Sequence, residues 1–410
     1  MKCITLTPPE HIQATIQLPS SKSICNRALI IHALAQSPCK LENLSDCDDT
    51  HVMTEALAHM PEVIDIMAAG TAMRFLTAYL SVPPGTHILT GTERMRQRPI
   101  QILVDALRSL GADIEYVENE GYPPLKVSGR TLTGSRLTLP GNVSSQYISA
   151  LLMIGPMLEK GLDLTLSGEI VSRPYINLTL KVMRDFGAEV EWTSDCSLHV
   201  APTPYQALPY YIESDWSAAS YWYEIVALST QDATVSLPGL FDQSPQGDSK
   251  VAELFEQLGV GTKREGQTVT LYQTHSCVKH MEYNFVNQPD LAQTFVVTCA
   301  MLGVTFRFSG LQSLKIKETD RMAALIAEMR KLGYVLEESD GSVLSWTGQR
   351  CEPQNPPVID TYEDHRMAMA FAPAVLREGT LCVRNPQVVS KSYPHFWEDL
   401  QKAGFHFTQN

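Results

Sequence analysis

Basic side chains concentrate near the predicted starts of helices and in the links between elements. Lys22 and Arg27 lie at the start of the apolar run SICNRALIIHALA, and Arg366 follows a second opener, Asp364. The same feature recurs at Arg74, Arg94, Arg96, Arg98, Arg173, Lys315, Lys317, Arg321 and Lys391. Helix N-termini attract anions, Arg binds carboxylate or phosphate bidentately and Lys acts as a point charge. The pattern favours pockets for small anions, although a solvated charged face would give the same spacing.

Carboxylates stand beside these cations in the sequence. Asp290 follows Asn-Gln-Pro, and the segment KIKETDR carries Glu318 and Asp320. On a helix, Glu318 could pair with Arg321 three residues later, Lys317 would share a face with Arg321, and Asp320 would point elsewhere. Such carboxylates serve either as general acids and bases or as structural ion-pair partners.

The composition excludes several classes of partner. The 410-residue chain has a net charge of -13 and 44% hydrophobic residues, which predicts a globular protein that binds neither nucleic acid nor an anionic membrane. Nine cysteines without a C-x-x-C and an N-terminus without an apolar signal core predict a reduced, cytoplasmic chain. No metal-binding or nucleotide-binding motif is found, so neither a metal nor another cofactor is expected.

The elements that must position these residues form a repeat. Six blocks share one plan of polar opener, apolar helix, strand, amphipathic helix and further strands. The openers are Ser23, Thr71, Ser144, Asp215, Asp290 and Asp364. The second helices end at Gly111, Gly187, Gly259, Gly333 and Gly404, which lie 71 to 76 residues apart. These glycines are the residues that best cap a helix in the left-handed conformation.

The first block is about 20 residues short, which predicts the loss of one strand pair there. Each block is too small for a core of its own, so the six are expected to group into two α/β domains of three blocks. A solenoid of the same units is the alternative, although solenoid repeats are usually shorter.

Nine motifs resemble 5-enolpyruvylshikimate-3-phosphate synthase (EPSP synthase) in order and spacing. They are SKSICNRAL, GTAMR, RMRQRPI, SSQYISALLM, VSRPYI, QPDLAQT, KETDR, YEDHRMAM and KSYPHF. The resemblance runs from about Leu18 to Phe396. As a set the motifs are highly specific, whereas GTAMR or SSQ alone would be weak.

The resemblance implies a fold of two inverse α/β domains, each built from three βαβαββ repeats and closing on the substrates. It implies that residues 1–19 with 239–410 form the lower domain and residues 20–238 the upper domain. Closure is expected to be driven by ligands, because like-charged pocket residues would repel one another until anions arrive.

The implied reaction is transfer of the enolpyruvyl group of phosphoenolpyruvate to the 5-hydroxyl of shikimate 3-phosphate, in the route to chorismate. The phosphoenolpyruvate site would comprise Lys22, Gly70, Arg98, Gln146, Arg321, Arg366 and Lys391. The shikimate 3-phosphate site would comprise Lys22, Ser23, Arg27, Ser144, Ser145, Gln146, Ser172, Tyr175, Asp290, Ser313 and Lys317. Asp290 would take the hydroxyl proton, and Glu318 and Lys22 would handle the other protons in a division that stays open. The resemblance implies a monomer without a cofactor.

Three positions depart from the family pattern. Ala68 and Ser313 replace asparagines, and Phe75 replaces the proline that follows GTAMR. Ser313 can still donate one hydrogen bond to a substrate hydroxyl, whereas Ala68 cannot. Gly70 is retained, which predicts sensitivity to glyphosate.

Two alternatives remain open at this point. UDP-N-acetylglucosamine enolpyruvyl transferase shares the fold but uses a loop cysteine, and this chain has no cysteine between Cys47 and Cys196. The other alternative is a non-catalytic protein on the same scaffold, which Ala68, Ser313 and the shortened first block would favour.

Overall fold

A computed structural model describes residues 2–409 and divides the chain into two compact units. The middle unit is Ser20–Ile212, and the terminal unit is the chain up to Pro19 together with the chain from Glu213 onward. The second boundary corrects the predicted one near Pro238, since the chain leaves the middle unit at Ile212.

The boundary follows from how the strands pair. Strand Ile12–Thr15 lies parallel to Ala233–Pro238, which is therefore an internal strand of a terminal-unit sheet. Helix Trp216–Leu228 packs on Ala233–Pro238. Pro238 therefore ends a strand of the terminal unit, and the chain enters that unit at Glu213, before helix Trp216–Leu228 and strand Ala233–Pro238.

The third repeat shows the complete plan. It runs strand Ser135–Pro140, helix Ser145–Ile154, strand Leu162–Ser167, helix Arg173–Asp185 and hairpin Val190–Ser194 with Ser197–Val200. The first two strands are parallel and the hairpin adds two antiparallel strands. Its first helix, SQYISALLMI, is apolar all round and almost wholly buried, so the helix lies inside. The predicted βαβαββ repeat is confirmed.

The middle unit contains three repeats. Its helices are Lys22–Leu34, Asp48–His59, Gly70–Leu80, Glu93–Arg96, Gln101–Ser109, Ser145–Ile154 and Arg173–Asp185. Its strands are Leu41–Glu42, Val63–Asp65, Gly85–Thr90, Asp113–Tyr116, Leu125–Gly129, Ser135–Pro140, Leu162–Ser167, Val190–Ser194, Ser197–Val200 and Tyr210–Tyr211. Within residues 2–409 the first repeat has only a two-stranded sheet, Leu41–Glu42 parallel to Tyr210–Tyr211, as its short length predicted.

The terminal unit contains the other three repeats. Its helices are Trp216–Leu228, Val251–Glu256, Ala292–Leu302, Arg321–Lys331, His365–Phe371, Val375–Glu378 and Phe396–Lys402. Its strands are Cys3–Thr7, Ile12–Thr15, Ala233–Pro238, Leu258–Glu265, Thr268–Cys277, His280–Asn284, Thr305–Ser309, Glu337–Ser339, Val343–Trp346, Val358–Ile359, Leu381–Arg384 and His406–Gln409. Each of its three sheets has four strands, and each unit has its own apolar core.

The capping glycines behave as predicted. Gly111, Gly187, Gly259, Gly333 and Gly404 all have positive φ angles, between 84° and 102°. Among residues 2–409, no helix is both long and apolar enough to cross a bilayer.

One pair of cysteines contradicts the expectation of a reduced chain. Cys3 and Cys382 form a disulfide, with Cα atoms 6.6 Å apart. Thr5 pairs with Cys382 across the sheet, so Cys3 is a diagonal neighbour of Cys382 on the adjacent antiparallel strand. Because 379 residues separate the two cysteines, only the strand pairing brings them together.

Candidate active site

In the terminal unit, three short segments bring charged residues to one place. A 3-10 helix, Pro289–Leu291, carries Asp290. Two helices begin at Arg321 and His365, and their first amides are capped by Asp320 and Asp364. Asp320 accepts from the Ala323 amide at 3.1 Å and so serves as the N-cap of the helix that begins at Arg321.

Asp290 is the acceptor for three cations. Its Oδ2 lies 2.9 Å from Arg366 Nη2, and its Oδ1 lies 3.2 Å from Arg321 Nη1 and 3.7 Å from Lys317 Nζ. Lys317 lies at the end of the 3-10 helix Gln312–Ile316 and not on the helix of Arg321. The predicted shared helix face is therefore wrong, and both cations instead meet at Asp290.

Glu318 and Asp364 complete the group. Glu318 accepts from Arg321 at 2.9 Å, the pair predicted from their spacing, and from Lys391 at 2.8 Å. Asp364, fully buried, accepts from Arg321 Nε at 2.6 Å. We call the set Asp290, Lys317, Glu318, Arg321, Asp364, Arg366 and Lys391 the terminal cluster. Its four cations are paired with three carboxylates, which offset the repulsion among the cations in the ligand-free protein.

The titration of these groups follows from their neighbours. Burial by itself would raise the pKa of Asp290, but Arg366, Lys317 and Arg321 outweigh it and hold the pKa well below its usual range. The pKa of Glu318 is also lowered, since Lys391 and Arg321 outweigh burial. Without anionic ligands, both carboxylates are therefore ionised and weakly basic.

Two residues next to this group were not singled out from the sequence. Tyr221 Oη accepts from Arg366 at 3.3 Å. Asp248 is buried and accepts from the Ser217 hydroxyl, and burial together with the negative charge of Asp290 raises its pKa to about 7. Asp248 lies in a separate 3-10 helix, Gly247–Lys250, and its sequence neighbours do not indicate that it lies near Asp290.

In the middle unit, Lys22 is the first residue of a buried helix. Its ammonium lies 3.1 Å from Oδ2 of the buried Asp49, which lies near the start of the helix Asp48–His59. Asp49 could not be recognised from the sequence, because helix packing alone brings the two residues together. Lys22 is thus also already paired with a carboxylate.

A second group surrounds the start of helix Gly70–Leu80. A Cβ atom at Gly70 would lie 2.6 Å from Arg98 Nη1, so the guanidinium rests directly against the glycine. Gln146 Nε2 donates to Thr71 Oγ1 at 3.0 Å, which joins the starts of two first helices. Buried Arg74 donates to the Gly70 carbonyl at 3.0 Å. The middle unit therefore brings Gly70, Arg98 and Gln146 together.

Arg27 is buried and held by its own unit. It donates to Thr179 Oγ1 at 2.7 Å, to the Ser23 and Tyr175 carbonyls at 2.8 and 3.2 Å, and to Ser149 Oγ at 3.3 Å. Burial lowers the pKa of Arg27 to about 10. These bonds use four of the five N–H donors of a guanidinium.

The predicted hydroxyl residues lie at helix starts. Ser23, Ser145 and Tyr175 lie in the first turns of three helices, and Ser144 and Ser172 are N-caps. Ser172 is buried with a φ of 56°, whereas the Ser144 hydroxyl accepts from the Gln146 amide at 3.3 Å. Ser313 lies half-buried in the 3-10 helix that precedes Lys317.

Several other predicted anion-site cations make local contacts of their own. Arg96 pairs with Glu118 at 3.3 Å on the surface, and Arg94 is exposed. Arg173 lies over the Trp192 ring, 4.0 Å from its centroid. For these cations the solvated-face interpretation is the better one.

Comparison with known proteins gives the same family as the motifs of the sequence do, over almost the whole chain. The family model of EPSP synthase (3-phosphoshikimate 1-carboxyvinyltransferase) matches residues 6–66 and 58–400. A 3-phosphoshikimate 1-carboxyvinyltransferase of Bacteroides fragilis is 66% identical over 400 residues, covering 98% of this chain and 97% of the relative. The chain belongs to the EPSP synthase family.

A more distant relative and two solved structures are also similar to this chain. A 3-phosphoshikimate 1-carboxyvinyltransferase of Sulfurovum sp. is 36% identical, covering 98% of this chain and 99% of the relative. An EPSP synthase structure from Acinetobacter baumannii covers 100% of both chains with a TM-score of 0.80 at 20% identity. The enolpyruvyl transferase NikO from Streptomyces tendae covers 100% of this chain and 99% of its own with a TM-score of 0.73 at 16% identity. At these identities the two structures show the fold alone.

The departures from the EPSP synthase pattern have distinct surroundings. Phe75 is fully buried, and the Arg27 guanidinium carbon lies 5.4 Å from its ring centroid. Phe75 therefore packs in the core and supports Arg27. Ala68 lies exposed, two residues before Gly70.

Proposed function

We propose that the chain transfers the enolpyruvyl group of phosphoenolpyruvate to the 5-hydroxyl of shikimate 3-phosphate, with release of phosphate. The observation that carries this proposal is the terminal cluster of a chain that belongs to the EPSP synthase family. In this cluster Asp290 pairs with three cations and Glu318 with two, which makes four different cations because both carboxylates pair with Arg321. Phosphoenolpyruvate carries a carboxylate and a phosphate, and several fixed cations would offset that charge.

We assign the donor to seven residues: Lys22, Gly70, Arg98, Gln146, Arg321, Arg366 and Lys391. Arg366 supports this assignment because its guanidinium lies next to Asp290 and the residue is 6% exposed. The acceptor is assigned to Lys22, Ser23, Arg27, Ser144, Ser145, Gln146, Ser172, Tyr175, Asp290, Ser313 and Lys317.

The reaction requires two balanced steps. The acceptor hydroxyl adds to C2 of the donor, giving its proton to a base while C3 gains a proton, and a tetrahedral ketal forms. The ketal then loses phosphate and a proton from the new methyl group. We assign the first proton to Asp290, and the protons at C3 and the leaving phosphate to Glu318 and Lys22.

Anion binding prepares Asp290 for this role. In the ligand-free protein, Arg366, Lys317 and Arg321 hold the pKa of Asp290 low and make it a poor base. A donor carboxylate that takes over Arg366 would remove part of that restraint and raise the pKa of Asp290. The base is then strongest when the donor is bound.

The test is phosphate release from phosphoenolpyruvate by the purified chain without added metal. We expect release only when shikimate 3-phosphate is present, and a large loss in Lys391→Ala. Lys402→Ala is a matched control, because Lys402 also pairs with a carboxylate of the terminal unit, Asp399, at 2.7 Å. Binding of both ligands without turnover would instead favour a non-catalytic protein on this scaffold.

We also infer that the enzyme acts as a monomer in the cytoplasm, as family membership suggests. Light scattering on the purified chain would test the oligomeric state, and cell fractionation the location. A stable dimer at working concentration would overturn the first inference, and recovery outside the cytoplasmic fraction the second.

A further inference from the structure

A strained turn directly precedes two residues of the terminal cluster. The Asp364 amide donates to the Thr361 carbonyl at 2.8 Å, and the two residues inside the turn, Tyr362 and Glu363, have φ angles of 54° and 57°. Turns with two positive φ angles favour Gly, Asn and Asp. Left-handed backbone carries a steric cost for residues that have a Cβ atom, so surrounding contacts must hold this turn in place.

The buried carboxylate of Glu328 supplies such contacts. Its Oε1 accepts from the Tyr362 hydroxyl at 2.6 Å, and its Oε2 accepts from the Asp360 amide at 3.0 Å. Lys331 lies 2.7 Å from the same Oε2 and 2.7 Å from Asp360 Oδ2. One carboxylate therefore ties the turn and the residue that precedes it to a single helix.

That helix also carries Arg321. Arg321 and Glu328 lie seven residues apart, or two turns, on helix Arg321–Lys331. Arg321 holds Asp364 at 2.6 Å on the far side of the turn, and Asp364 Oδ1 in turn accepts from the Arg366 amide at 2.9 Å. The turn is thus fixed to one rigid helix on both sides.

We propose that Glu328 and Tyr362 are positioning residues that hold this turn, so that Arg366 reaches Asp290 and the donor anion. Within residues 2–409, the side chains of Glu328 and Tyr362 bond to one another, to Asp360 and to Lys331 and to no member of the terminal cluster. Both residues therefore act through the turn. The kinetic part of this proposal rests on the proposed function.

The first variant is Tyr362→Phe, which removes only the hydroxyl of a side chain that is 39% exposed. We expect the KM for phosphoenolpyruvate to rise about tenfold with kcat within about threefold, because Arg366 binds the donor throughout the reaction. Tyr210→Phe is the matched control, since it removes a tyrosine–carboxylate hydrogen bond of 3.2 Å to Asp185 in the other unit. It is expected to leave this KM unchanged.

A second substitution tests whether backbone strain is the cause. Glu363 is exposed, and glycine adopts positive φ without the steric cost of a Cβ. The double variant Tyr362→Phe with Glu363→Gly is therefore expected to have a KM for phosphoenolpyruvate close to that of the wild type. A merely structural role for the hydroxyl predicts no such rescue.

Hydrogen exchange of the ligand-free variants gives a readout independent of catalysis. Tyr362→Phe is expected to speed exchange at the Asp364 and Arg366 amides, and Glu363→Gly to reverse it. If exchange and KM in Tyr362→Phe match those of Tyr210→Phe, the positioning role is overturned. If exchange responds as expected but the wild-type chain has no transferase activity, the turn is correct and the proposed function is wrong.

Discussion

Replacing Asp290 by asparagine separates its two proposed roles, which act on binding and turnover in opposite directions. In the ligand-free protein the Asp290 carboxylate lies 2.9 Å from Arg366 and 3.2 Å from Arg321, so the donor must compete with Asp290 for these two cations. As a base, it should nevertheless be needed for turnover. Asp290→Asn is therefore expected to bind phosphoenolpyruvate more tightly while losing activity.

The size of the binding effect follows from the distances. One unit-charge pair at about 3.2 Å has an interaction energy of about 5 kcal/mol at an effective dielectric constant of about 20. Desolvation offsets most of this Coulomb energy, and the net contribution of a hydrogen bond to a charged group is roughly 1.5–3 kcal/mol. Loss of about 1.4 kcal/mol of competition would tighten donor binding about tenfold. Loss of a general base would lower kcat by about 10²- to 10⁴-fold.

Calorimetry with phosphoenolpyruvate alone gives the donor affinity, and phosphate release with both substrates gives kcat. Asp399→Asn is the control, because Asp399 is also buried and accepts from Tyr393 and Lys402 in the same unit. Weaker donor binding by a folded Asp290→Asn protein would refute the competition argument. A kcat within threefold of the wild type would show that Asp290 is not the base.

Three further predictions concern single side chains. In Gly70→Ala the added Cβ would lie 2.6 Å from Arg98. We therefore expect a higher KM for phosphoenolpyruvate and weaker inhibition by glyphosate at an unchanged melting temperature. An unchanged KM and unchanged inhibition would contradict the placement of Arg98 in the donor site. Asp49→Asn should remove the ion pair with Lys22 and tighten donor binding severalfold by calorimetry, whereas Lys22→Ala should abolish donor binding. If both variants change the donor affinity equally, Asp49 does not compete with the donor for Lys22. Burial raises the pKa of Glu224 well above normal, so the unfolded state ionises first and stability falls by about 1.4 kcal/mol per pH unit as pH rises above about 4.3. Denaturant titrations of Glu224→Gln should lack that part of the slope, and an identical slope would show that Glu224 ionises in the folded protein.

The repeat and its helix starts were predictable from the sequence, because they depend on local patterns. Glycines after amphipathic helices and polar caps before apolar helices reflect interactions within a few residues, and the short first block follows from the spacing of these signals along the chain. The Glu318–Arg321 pair was predictable for the same reason, since three residues separate its members.

Contacts between distant segments were not predictable in this way. Asp49 beside Lys22, Asp248 near Asp290 and the disulfide of Cys3 with Cys382 carry no local signal. The second domain boundary was misplaced because the pairing of strand Ile12–Thr15 with Ala233–Pro238 is non-local.

The sequence by itself determined which residue types stand at each helix start and therefore which charges this protein has available. Tertiary structure alone decided that those charges are paired before any ligand arrives, as Lys22 is with Asp49 and Arg366 with Asp290. The physical reason is that Coulomb energy depends on distance in space, and packing sets that distance between segments far apart in the chain.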